Sequence, residues 1–120
     1  MGHVKAHVRI CNPIDQSKCF EYELLVDTGS TYTWIKASRL KEIGVKPMTK
    51  WKFRTIENRV IERPIGEALI ECLGEKATRI IVFAEESDVE VLGTDTLGGL
   101  RLEVDPITKE LRKTEALLAV

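Results

Sequence analysis

The sequence is poor in the residues from which metal and redox sites are built. Its 120 residues contain two histidines and three cysteines. His3 and His7 share one face of the first strand but have no third ligand with them, so they read as solvated side chains. Cys11, Cys19 and Cys72 lack the paired spacing of a zinc site. No metal and no cofactor is therefore expected. No apolar run approaches the length of a membrane span, and no signal-peptide pattern precedes the first strand, so no membrane partner is expected. Charge of one sign is also lacking. Eighteen Lys and Arg stand against 19 Asp and Glu, a net of −1, which gives no basis for nucleic-acid binding. These absences make a cytoplasmic location the expectation, with free thiols in a reducing cytosol. Cys11 and Cys19 nevertheless flank a hairpin loop and could face each other across it. Linkers, repeats and low-complexity segments are missing too, so 1–120 reads as one domain, long enough to bury a core.

What is present is mostly strand. Turn signals recur at short intervals between β-prone runs, the pattern of a compact all-β domain. Val4 to Cys11 and Cys19 to Val26 form a hairpin around the turn-rich loop Asn12 to Lys18. Thr31 to Ile35 is β-prone. Ala37 to Gly44 has the length of a helical turn, with Ser38 as its cap and Gly44 as its stop. Trp51 to Phe53 and Arg59 to Arg63 flank Arg54 to Asn58, a second hairpin with Ile56-Glu57-Asn58 at its tip. Ile65 to Cys72 and Ala77 to Ala84 make a third, and Glu85 to Asp88 is a solvated acidic loop. A strand over Val89 to Leu92 leads into one or two helical turns from Thr94, stopped at Gly98-Gly99. Two short strands about a Pro-containing turn follow within Leu102 to Leu111, and Ala116 to Val120 is an apolar tail.

Chemistry concentrates where the second strand ends, at Leu24-Leu25-Val26-Asp27-Thr28-Gly29-Ser30. A carboxylate directly after an apolar run belongs near the interior or in a cleft, where ionisation is costly unless it is hydrogen-bonded. Gly29 suits a tight turn or close backbone approach. Thr28 and Ser30 bring hydroxyls that can bond backbone or carboxylate. A second strand end, Val89-Glu90-Val91-Leu92-Gly93-Thr94-Asp95-Thr96-Leu97, follows, with Gly93 66 residues after Asp27. An apolar run into Asp-Thr-Gly-Ser, then apolar-apolar-Gly-x-Asp-x-Leu, resembles the retropepsins, the single-domain aspartic proteases of retroviral type. The likeness covers roughly residues 4–105 and leaves 106–120 as an extension.

The resemblance implies a single-domain acid-protease β-barrel with one short helix near the C-terminus, and peptide-bond hydrolysis as its activity. That chemistry needs two carboxyls about 3 Å apart sharing one proton and one water. The chain holds a single Asp-Thr-Gly, so Asp27 must meet Asp27 of a second copy in an isologous homodimer. The family pattern gives Thr28 a bracing role across the two-fold axis, Gly29 the close passage of substrate backbone, and Ser30 a bond near the carboxylate. Leu25, Trp34, Val89 and Val91 fall at pocket-wall positions, with Ile56 and Asn58 at the tip of the mobile hairpin, or flap. Substrate would be a peptide or unfolded protein.

Three departures from the family are visible. Asn58 stands where retroviral flap tips are rich in glycine, and it adopts positive φ less freely. Thr94 and Thr31 replace both members of the family's Arg–Asp ion pair, so neither charge is left unpaired. The apolar tail, Ala116 to Val120, either takes over the dimer contact or folds back onto the chain. Lys50, Lys52, Arg54 and Arg59 give the flap region a basic cast, which reads as a solvated face, with selection of acidic substrates as the alternative. Two rival functions come with this reading. An actin-type phosphate loop is excluded because that fold needs far more chain. A catalytically silent dimerising or peptide-binding module on the same fold is the alternative.

Overall fold

The alternation expected of half-buried strands governs the first hairpin. In β1 (Lys5–Cys11) the even-numbered residues Ala6, Val8 and Ile10 are buried and the odd ones from Lys5 to Arg9 face out. That period of two is what a pleated strand with one covered face requires. A computed structural model describes residues 4–119, and so His3 and Val120 lie outside the described residues. Antiparallel pairing with β2 (Cys19–Val26) runs from Lys5↔Leu25 to Cys11↔Cys19. The last pair brings the two sulfurs together as a disulfide, with Cα atoms 4.1 Å apart. This corrects the expectation of free thiols. The ladder places the two cysteines directly opposite one another, and the seven-residue loop between them is closed by Asn12 N–H to Lys18 O. Cys72 is free and buried.

The remaining strands are β3 (Thr33–Lys36), β4 (Thr49–Arg54), β5 (Val60–Cys72), β6 (Glu75–Ala84), β7 (Val91–Leu92), β8 (Leu102–Val104) and β9 (Leu111–Lys113). The first seven form one sheet in the order β1-β2-β7-β3-β6-β5-β4, and a further β1–β5 pairing closes it into a ring. One cluster of buried residues fills it, including Val8, Ile10, Leu24, Ile35, Ile70, Ile81 and Leu92. The protein is thus mainly β, with two six-residue helices, α1 (Ala37–Glu42) and α2 (Thr94–Gly99).

Three local expectations are corrected. The runs on either side of Pro64 are one 13-residue strand. Pro64 has no N–H to give, but it stands where β5 passes from pairing with β4 to pairing with β6, so the long ladders on either side survive. Ser38 does not cap α1: Lys36 holds the cap position, and the Ser38 hydroxyl donates instead to Glu86 Oε1 at 3.0 Å. The helix does end where glycine allows it, with Gly44 at φ 77°. Helix α2 ends at Gly99, as expected of the Gly98-Gly99 pair, and the turn is completed by Leu100 N–H to Thr96 O. The second apolar run pairs only over Val91–Leu92, because Glu90 is held by side-chain bonds outside the ladder. The final strand pair forms, with its second member at Leu111–Lys113. Beyond it the described tail is extended and exposed, Leu117 by 98% and Leu118 by 84%, so over these residues it does not fold back onto the sheet.

Candidate active site

Strand β7 runs between the chain-consecutive strands β2 and β3, parallel to the first and antiparallel to the second. The crossing is tight. A side chain on Gly93 would run into the backbone of Tyr32 and Ser30, so only glycine allows β7 to pass beneath that loop. Main-chain bonds then fix the loop to the first turn of α2: Thr94 N–H donates to Ser30 O at 2.9 Å and Asp95 N–H to Thr31 O at 2.7 Å. Beneath them Thr33, fully buried, accepts from Gly93 N–H at 3.0 Å and shares a 2.6 Å hydrogen bond with the buried Thr96 hydroxyl. Two hydroxyls and one amide satisfy each other there, which removes the cost of burying them. Backbone bonding thus holds the two motifs together at Thr31 and Thr94, the positions where the retroviral pattern carries charge.

At the head of this crossing Asp27 leaves β2. Its N–H donates to Leu92 O at 3.0 Å, and its carbonyl accepts from Ser30 N–H at 3.1 Å. Its carboxylate Oδ1 accepts from Gly29 N–H at 2.9 Å. That contact orients the group, and Oδ2 is left open among the described residues. Asp27, Thr28 and Gly29 are exposed in the single chain. Of the two acceptors open to Ser30, backbone and carboxylate, it takes the backbone. Its hydroxyl donates to Tyr32 O at 3.0 Å, the acceptor that the turn itself presents.

A cleft of about 610 Å³ opens beside Asp27. Eight of the residues singled out from sequence line it: Leu25, Asp27, Gly29, Ser30, Trp34, Ile56, Val89 and Val91. Three of them form a row, since Leu25 pairs with Val91 across β2–β7 and Trp34 pairs with Val91 across β3–β7. Thr28 and Asn58 do not line it. Thr28 lies exposed beside Asp27, and Asn58, at φ 64°, accepts through Oδ1 from Arg54 Nη1 at 2.8 Å. His7, off this site, bonds Glu21 at 3.0 Å.

Tyr32, Phe53 and Thr55 also line the cleft and were not singled out from sequence, whereas Lys52, Arg54 and Thr31, noted there for charge and for the absent ion pair, line it as well. The signal for Phe53 was present in the alternation of β4, where Trp51 and Phe53 are half-buried and Lys52 and Arg54 exposed. Trp51 and Phe53 meet Tyr32 and Trp34 edge-on, with ring centroids 5.4 Å (Tyr32–Trp51) and 5.1 Å (Trp34–Phe53) apart. These contacts fasten the base of the β4–β5 hairpin to β3. Glu90 is the other omission. It accepts from Tyr22 Oη at 3.3 Å and Lys36 N–H at 2.9 Å and pairs with Arg39 at 3.3 Å. Burial, with the Glu90 charge behind it, pushes the Tyr22 phenol well above its ordinary range. A single carboxylate between two valines is a strand-breaking oddity, and it was the available signal.

No family model and no curated protein matches the chain. Among the described residues no helix is long and apolar enough to cross a membrane.

Proposed function

We propose that this protein is an aspartic endopeptidase of retropepsin type, a single-domain acid-protease barrel that becomes active as a symmetric homodimer. The observation that carries the reading is the setting of Asp27. Among the described residues it is the only carboxylate lining the cleft, it is oriented by the Gly29 amide, and it stands exposed where a second copy can approach. Asp27 of a second copy supplies the missing partner. Two carboxyls in contact hold one proton between them, because both cannot ionise side by side. The ionised member takes a proton from the shared water, which attacks the scissile carbonyl, and the protonated member donates to the carbonyl oxygen. Thr28, exposed next to the dyad, braces the two loops across the axis. Gly29 leaves room for an extended peptide, and Leu25, Trp34, Val91, Val89 and Ile56 receive its side chains. A cytoplasmic setting would need a compartment that tolerates the Cys11–Cys19 bond.

The test is hydrolysis of an unfolded protein at acid to neutral pH by wild type beside Asp27→Asn. The expected result is cleavage by wild type and loss of at least about a thousandfold in the variant, with unchanged thermal unfolding, and inhibition by a peptide bearing a tetrahedral-intermediate mimic. Equal cleavage by both proteins, or none by either, would leave the silent peptide-binding module as the reading.

A further inference from the structure

We infer that the cleft selects peptides carrying acidic residues close to an apolar or aromatic one, with Lys52 and Arg54 as the selecting groups. For its cleavage arm this rests on the endopeptidase reading; for its binding arm it does not.

The argument begins with charge placement. The whole chain is at −1, yet the β4–β5 hairpin from Thr49 to Ile65 carries five Lys and Arg against two Glu. Of the chain's cations some are matched and others are not. Arg39, Arg63, Arg79, Arg101 and Arg112 each sit in an ion pair. Lys52 and Arg54 sit in none among the described residues, although Glu62 lies opposite Lys52 in the ladder. Arg54 spends one Nη1 hydrogen on Asn58, which holds its guanidinium at the tip and leaves its other donors available. Apart from Asp27, these two residues are the only charged ones among the described residues that line the cleft. The acids on the far side of the hairpin are already taken: Asp88 and Glu85 by Arg63, Glu86 by Lys36 and Glu90 by Arg39.

The same cleft carries an apolar surface of Leu25, Trp34, Phe53, Ile56 and Val91. An extended peptide places successive side chains on alternate sides. An apolar residue fits that surface, and carboxylates beside it meet the two cations. A symmetric dimer presents the same rim twice, so acidic positions are expected on both sides of the bond that is cut. Charge complementarity of this kind sets specificity and on-rate more than raw affinity.

Three labelled peptides sharing one aromatic–apolar core, flanked by Glu, Gln or Lys, decide the matter when their anisotropy is followed on the Asp27→Asn protein. The measurement is made at about pH 6, where the Glu side chains are ionised. The Glu peptide is expected to bind about fivefold tighter than the Gln peptide and the Lys peptide weakest. The order should collapse at about 0.5 M salt. Lys52→Glu/Arg54→Glu should reverse it, whereas Lys76→Glu, remote from the cleft, should keep it. With wild type the same peptides should differ in KM rather than kcat. Equal affinity for the three, no binding by any, or a preference that survives the double charge reversal overturns the inference. A preference in binding with no cleavage by wild type keeps it and removes the endopeptidase reading instead.

Discussion

Single residues in this protein carry opposite demands at positions that look alike in sequence. Gly93 and Gly98 are both glycines at the second motif. At Gly93 a Cβ would collide with the Tyr32 and Ser30 backbone; at Gly98 it would meet nothing within 4 Å. Gly93→Ala is therefore expected to cost about 3 kcal/mol, at the upper end for overpacking. Gly98→Ala, in an open helical position, is expected to gain up to about 1 kcal/mol. Urea midpoints of the two variants check both signs. Gly99 is a third case, because its missing side chain leaves room for the Arg79 side chain, whose guanidinium pairs with Asp95 at 2.6 Å. The sequence marked Gly98-Gly99 as a stop, and only the neighbour across space shows that one of the pair serves close approach.

At the scale of elements, the cleft is framed by loops whose positions depend on ion pairs. Asp88 accepts from Arg63 Nε at 2.7 Å and Nη2 at 3.0 Å and from Glu85 N–H at 2.7 Å. This ties the loop ahead of Val89 to β5. The Arg63 bonds, with the Glu85 amide, hold the Asp88 carboxyl below its ordinary range. A depressed carboxyl stabilises the fold at pH values above its unfolded pKa of about 4 and loses that stabilisation as pH falls through the folded value. The pair is largely buried, with 12% and 16% of the side chains exposed. Asp88→Asn is thus expected to cost about 2 kcal/mol near neutrality, with the difference from wild type shrinking below about pH 4. Unfolding midpoints measured across pH test this. The consequence for function is that the cleft wall should stay in place through most of the acid range.

The whole molecule is built as half of a site. One chain supplies one cleft carboxylate and leaves Asp27, Thr28 and Gly29 exposed. Its described apolar tail is also left without a partner inside the chain. If two copies make the catalyst, specific activity must fall on dilution below the dimer dissociation constant, and rate should then vary with the square of protein concentration. A constant specific activity from the lowest measurable concentration upward, with a monomeric mass, would exclude a dyad shared between copies.

The sequence by itself determined the strand-rich class, the first hairpin and its delivery of Asp27, the tip of the second hairpin, and most of the residues that line the cleft. Those features follow from local rules: alternation, turn chemistry, and glycine or asparagine where positive φ is needed. Tertiary structure alone decided the rest. It set β7 between β2 and β3, made one strand of two across Pro64, bonded Cys11 to Cys19, buried Thr33 against Thr96, and left Lys52 and Arg54 unmatched on the cleft rim. Each of these depends on partners tens of residues away. A residue's hydrogen-bond and charge balance is settled by what packs against it in space, which its neighbours along the chain do not reveal.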